Sequence, residues 1–332
     1  MIRALLDGVQ RVLNAPALVA GLYLATLAAV IPMGVALHES INTHLGNSLV
    51  ADRVAAAVDT AWWDEFTERS TGIERTFVPQ IVGFAAVLSN LSTMVDSEPP
   101  RGAIATLVVV YVLIWAFLVG GVIDRLARQR PLRGAGFFSA CGHHVFRIAR
   151  LGVVVAFVYW LLFDVVHRWL FDDLIGLLTR DLTVERNAFL LRMVLYAVFM
   201  VLVIGVNLLF DYTKIRVVVE DRRSVLGALL GAWRFVRRRP GATVGLYLVN
   251  GALFVAVLGA YAVVAPGVGS AGIDMWTGFL TGQAYIAARV FTKLLFYASE
   301  TAYFQSQLAH AAYVAAPEPR WPDSPAVEAI GR

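Results

Sequence analysis

The sequence predicts an all-α membrane protein with six transmembrane helices arranged as three repeated helical hairpins. Three observations carry this. The 332 residues are 58% hydrophobic and only 16% charged, where a soluble globular chain carries roughly 25% charged residues, and the mean hydropathy is +0.68. Uncharged windows reach the ~20 residues that a helix needs to cross ~30 Å of hydrocarbon. A phrase also recurs: "GVQRVLNAPALVAGLYLAT" from Gly8 and "GAWRFVRRRPGATVGLYLVN" from Gly231 both run from a glycine through a basic amphipathic stretch to a proline and then Gly-Leu-Tyr-Leu.

The spans follow in order. Ala17–Leu37, Ala103–Ile123 and Ala242–Ile273 contain no charged residue; Leu151–Leu170 carries Asp164, His167 and Arg168 toward its end, and Phe189–Phe210 carries Arg192 near its start. The sixth span, Trp276–Ala298, includes Arg289 and Lys293. Residues 77–95 are apolar but hold a proline and several small polar residues, which predicts an interfacial or re-entrant helix, with a seventh span as the alternative.

Basic residues are retained on the cytoplasmic side of short loops, and here they set one orientation. Arg3 and Arg11 precede the first span, six arginines lie in 124–150 and eight basic residues in 211–240, whereas 38–102 holds four arginines against nine acids. Six spans with both termini cytoplasmic satisfy every loop. The first apolar run is too long for a secretory h-region, no clear A-x-A cleavage site follows it, and more spans come later, so it is expected to stay as a helix. The single cysteine, Cys141, excludes an internal disulfide and a Cys-rich metal site.

A third copy of the phrase is "SACGHHVFRIARLG" (Ser139–Gly152), which sets Gly142, Phe146 and Arg150 against Gly231, Phe235 and Arg239. The repeats are then 1–123 with an external segment 38–102, 136–210, and 225–314, followed by a tail over 315–332. Each begins with an amphipathic helix on the cytoplasmic leaflet. In "GAWRFVRRRPG", Trp233 and Phe235 are expected to enter the headgroup layer while Arg234, Arg237, Arg238 and Arg239 face anionic lipid, at about 1 kcal/mol per basic residue. Such a run in a polytopic chain points to lipid, and nucleic acid is not an expected partner.

Charges within the membrane must face protein or water. Arg289, Lys293 and Glu300 share one helical face, continued by Gln307, and Asp124 and Asp211 at the inner ends of the second and fourth spans are their natural counter-charges. The five define a polar inner vestibule for an anionic headgroup or solute, or else an ion-pair network locking the hairpins together. Toward the outer face, Asp164 is expected to pair with Arg192. His143 and His144 are adjacent, with no carboxylate or cysteine at a metal-ligand spacing, so neither metal nor other cofactor is expected. "GVGSAG" from Gly267 lacks the strand and helix of a dinucleotide fingerprint, and no nucleophile triad or P-loop is present.

"GGVIDRLARQR" and "FDYTKIRVVVEDRRSVLGALLGAWRFVRRRP" resemble the inner connections of poorly characterised multi-pass inner-membrane proteins of bacteria. They are more loosely similar to those of the membrane domain fused to some glycerophosphodiester phosphodiesterases. The resemblance implies the bacterial inner membrane and repeated hairpins behind amphipathic helices. No soluble catalytic domain is present, so it transfers neither hydrolysis nor site residues. The leading function is therefore a non-enzymatic scaffold, assembly or accessory subunit whose partners are membrane lipids and other membrane proteins, with the aromatic "WWDEF" (Trp62–Phe66) of the external segment as either a partner contact or an interfacial belt. The alternatives are a transporter or channel for a lipid or small anion, and a membrane-embedded lipid-modifying enzyme using Asp124 and Asp211.

Overall fold

Pro16 and Pro240 each stand at the first position of a long helix, where the missing N–H is one that no helix could satisfy anyway. The residues before them, Ala15 (φ −128°, ψ 53°) and Arg239 (φ −140°, ψ 52°), adopt nearly the same non-helical backbone, as a residue preceding proline is driven to do. Each proline thus separates a short amphipathic helix from a long apolar one. In the third copy of the phrase this position is Leu151, which keeps its N–H, and the helix runs through without a break. The separate amphipathic helix expected ahead of the third span is instead the first part of that span's own helix.

The structure, a computed structural model, describes residues 1–46, 48–56, 59–77, 102–129, 133–180, 182–265 and 272–310. These form α1 (Ile2–Leu13), α2 (Pro16–Leu45), α3 (Val50–Ala56), α4 (Thr60–Arg69), α5 (Gly102–Arg128), α6 (Gly134–Thr179), α7 (Glu185–Val219), α8 (Val225–Arg238), α9 (Pro240–Val264) and α10 (Gly272–His310). Among the described residues there is no strand. Helix α6 widens into π turns at Leu161–Val166 and Trp169–Leu174. The interfacial or re-entrant helix expected over 77–95 lies, but for Phe77, outside the described residues, as does the tail.

Five helices are long and apolar enough to cross a membrane: α2, α5, α6, α7 and α9. Most of their apolar surface points outward, since the buried share of the apolar window runs from 6% in α9 to 39% in α5; Val109, Leu113, Val201 and Val255 are among the large side chains left exposed. Helix α10 is not one of the five, and its position explains why. It packs against α1, α2, α5, α7 and α9, and Leu294 through Phe304 are buried except Phe296. A helix enclosed by other helices has no need of a uniformly apolar surface, and α10 carries Thr292, Ser299, Glu300 and Thr301 in its buried part. The main core joins Val122, Ile123 and Leu126 of α5 to Tyr212 and Ile215 of α7, Leu246 of α9 and Leu294, Ala298 and Phe304 of α10.

Two close approaches fix the ends of this core. A Cβ on Gly8 of α1 would lie 2.7 Å from Cα of Ser299, so the backbones of α1 and α10 nearly touch. Gly120 and Gly121 of α5 likewise admit His144 and Cys141 of α6, with a Cβ on Gly120 falling 2.7 Å from the His144 Cβ. Arg11 then ties three helices together: it donates to Asp7 (2.9 Å), to the Leu126 carbonyl of α5 (3.1 Å) and to Gln305 Oε1 of α10 (2.7 Å).

Beyond the far end of α2, Trp62 and Phe66 are buried in a cluster with His44, Trp63 and Phe77. The "WWDEF" aromatics expected as an exposed contact therefore fold largely onto their own segment. A carboxylate closes this segment onto α2: Glu74 accepts from the Ser40 hydroxyl and from the Thr71 backbone N–H at 2.7 Å. The Ser40 hydroxyl first, and then the Thr71 N–H, hold the Glu74 carboxyl below its ordinary value of 4.5. Because the folded state favours the charged form, the stabilisation is complete above that value and is lost as pH falls through the lowered one. The Thr71 amide is accordingly expected to lose hydrogen-exchange protection below pH ~4.5, and at pH 7 in Glu74→Gln. Equal protection factors at pH 7 and pH 3 would contradict this.

Candidate functional site

A half-open cavity of about 620 Å³ lies between α2, α5, α9 and α10, lined by Val30, Val108, Phe254 and Phe296 among other apolar residues. Two cations enter it, Arg289 and Lys293, one helical turn apart on α10 and hence on the same face. Aromatic rings back both. The Arg289 guanidinium stands over Phe254 and Tyr285 at 5.5 and 5.8 Å, and Lys293 Nζ over Trp115 and Tyr111 at 3.4 and 5.1 Å. Lys293 also donates to the Tyr111 hydroxyl at 3.4 Å. Among the described residues neither cation has a carboxylate within ion-pair distance.

The expected counter-charges are engaged on their own helices. Asp124 is buried and pairs with Arg128 at 2.8 Å; Asp211 pairs with Lys214 at 2.6 Å. Each partner lies three or four residues on, where a helix brings side chains together without cost in chain ordering. Glu300 lies deeper than the cavity, fully buried, with neither carboxylate oxygen hydrogen-bonded among the described residues; Asp211 and Lys214 are the charged groups that act on it. The five residues predicted as one inner vestibule thus divide. Arg289 and Lys293 line the cavity, Asp211 and Glu300 neighbour each other around Lys214, and Asp124 stands apart with Arg128. Lys214, Tyr111 and Trp115 escaped the sequence reading, although Lys214 is legible as the basic residue one turn after Asp211.

On the outer candidate pair, the partner of Asp164 is Arg168 at 3.1 Å on α6 itself, and no ion pair links Asp164 to Arg192 among the described residues. His167 between them in sequence is buried against Phe171 and Phe199. Arg234, Arg237, Arg238 and Arg239 are exposed, and Arg234, Arg238 and Arg239 join Arg216, Phe235 and Gln307 around a second cavity of about 490 Å³. Trp233 is exposed with Leu226 and Leu230 on one stripe of α8. Phe235, expected beside Trp233 at the lipid, turns inward instead and packs among Tyr212, Tyr303 and Phe304. The histidine pair is also corrected: Asp221, in the turn after α7, lies 3.2 Å from His143 Nε2, a carboxylate that sequence spacing could not associate with it.

No protein-family model, no curated protein and no solved structure matches the chain. Fold and site define it by class alone, as an all-α protein with five helices suited to a membrane around a polar central helix.

Proposed function

We propose that this is an integral membrane protein that binds an anionic amphiphile, a lipid or a small organic anion, in the cavity of Arg289 and Lys293, and acts as a transporter or carrier for it. One observation supports the reading above others: two cations share an apolar cavity, and among the described residues neither has a carboxylate within ion-pair distance. A charge in such surroundings is costly unless paired, and the facing aromatic rings offset only about 0.5–2 kcal/mol each. An anionic ligand supplies the missing charge, and the apolar walls suit its hydrocarbon part. Phe254 stands 14 residues along α9, about 21 Å at 1.5 Å per residue, so the cations sit at membrane depth and away from the surface arginines.

On this reading α10 is the sixth span, both termini lie in the cytoplasm of a bacterial cell, and the hairpins repeat. The four exposed arginines of α8 and its end, with Trp233, rest on anionic headgroups of the inner leaflet. The scaffold reading keeps the long external segment and the lack of a catalytic constellation in its favour, but Trp62 and Phe66 are buried within their own segment and offer it no contact surface.

The test is reconstitution in nanodiscs of mixed phosphatidylglycerol and phosphatidylcholine, with retained lipid identified by native mass spectrometry and lipid exchange followed in vesicles. Arg289→Ala combined with Lys293→Ala is expected to lose the retained anionic lipid and at least tenfold in exchange, as loss of ~1.4 kcal/mol or more of binding requires. Replacing Arg234, Arg237 and Arg238 by Gln should reduce general enrichment in anionic lipid and spare the retained molecule. Retention and exchange unchanged in the double variant would sink the proposal.

A further inference from the structure

At the end of the bundle that carries α1 and α8, three metal-ligating side chains from two distant parts of the chain converge. His143 and His144 occupy successive positions on α6; Asp221 sits between α7 and α8, 78 residues from His143. One donor atom from each lies within 4.8 Å of the other two. One pair already has the spacing of a metal site: two ligands each ~2.0–2.1 Å from a tetrahedral Zn²⁺ stand ~3.3 Å apart, and His143 Nε2 is 3.2 Å from Asp221 Oδ1, while the set as a whole, within 4.8 Å, must draw in around the ion. The rings of His143 and His144 meet edge-on, 4.8 Å between centroids.

His144 supplies a second, independent observation. It is only 4% exposed, yet its Nδ1 has no hydrogen-bond partner among the described residues, and buried polar atoms are rarely left so. The absence of a Cβ at Gly120 lets α5 close on this residue and keeps the imidazole at its place. Arg147 completes the picture as a resident cation. Its guanidinium pairs with Asp221 and approaches His143 Nε2 to 3.5 Å, so a positive charge already stands between the two outer donors.

We propose that His143, His144 and Asp221 form a binding site for a divalent transition-metal ion, Zn²⁺ being the chemical type, which displaces the Arg147 guanidinium and fastens α6 to the α7–α8 turn. Two imidazoles and one carboxylate are borderline N and O ligands of the kind Zn²⁺ prefers, with the fourth tetrahedral position left to water.

The experiment uses the full chain without a histidine tag in detergent micelles. Co²⁺ is titrated and read by its visible d–d absorption, and Zn²⁺ is then added in competition. About one ion per chain is expected. His143→Ala and Asp221→Asn, both at exposed side chains that leave the helix packing alone, should weaken binding more than tenfold, whereas His38→Ala, an exposed histidine elsewhere, should not. Arg147→Ala should tighten binding, because it removes the competing cation; a merely structural Arg147–Asp221 pair gives no such gain. Absence of saturable binding in the wild-type chain overturns the proposal, and so does binding undiminished in both His143→Ala and Asp221→Asn.

Discussion

Replacing Arg11 by alanine is expected to destabilise the folded chain by about 3 kcal/mol, more than any other single removal of a charge near α1. The guanidinium is buried, and it makes hydrogen bonds to three elements at once: Asp7 on its own helix, the Leu126 carbonyl of α5 and Gln305 of α10. Its removal strands the buried Leu126 carbonyl and takes a partner from the half-buried Gln305 oxygen, and an orphaned buried acceptor costs ~1–3 kcal/mol where an exposed one costs little. Asp7 keeps 42% of its side-chain area and remains solvated, so the loss falls on the tertiary ties rather than on the ion pair. Arg11→Lys should recover only part of it, since an ammonium cannot span the same forked geometry. Arg3, on the exposed face of the same helix, is the control, with a change within ~0.5 kcal/mol. Thermal or denaturant unfolding in micelles reads all three; Arg11→Ala indistinguishable from Arg3→Ala would show that α1 is not held by this residue.

Arg11 also shows what the sequence could and could not disclose. Its place in a basic amphipathic helix was legible, because hydropathy and arginine counts register what a segment does with respect to solvent and bilayer. Five apolar helices and the proline breaks before α2 and α9 follow from such local information. Which way Arg11 points was not legible, since that depends on α5 and α10 arriving from more than a hundred residues away. The same limit governs the charged residues. Asp124, Asp211 and Asp164 were assigned long-range partners, yet each takes a basic residue three or four positions along its own helix, the nearest solution that helix geometry offers. The reverse holds for His143 and Asp221, which no spacing rule relates and which tertiary folding brings together. For α10, the polar residues of its buried part, Thr292, Ser299, Glu300 and Thr301, are explained by its packing against five other helices.

The recurring phrase allows a sharper test, because its three glycines are equivalent in sequence and different in space. Gly8→Ala is expected to cost about 1–3 kcal/mol: the added Cβ would fall 2.7 Å from Cα and 2.8 Å from N of Ser299, and a backbone can yield only if α1 and α10 move apart. At Gly231 the obstructing group is the guanidinium of Arg216, the flexible end of a long side chain. It can swing away at the expense of its ion pair with Glu220, which keeps Arg222 as a second partner, and the better helix propensity of alanine offsets part of that loss. At Gly142 nothing lies within 4 Å of the added carbon, and alanine there should stabilise the helix by roughly 0.5–1 kcal/mol. Unfolding of the three variants therefore separates two accounts of the phrase. If the glycine performs one task in every copy, the three substitutions shift stability alike. If, as the geometry argues, two of the copies share the turn made by proline and all three diverge in what their helices touch, the shifts should be strongly negative, small and positive in the order Gly8, Gly231, Gly142. The segment whose glycine is least constrained is also the one with Leu151 where the other two have proline, and there the chain runs on as one continuous helix.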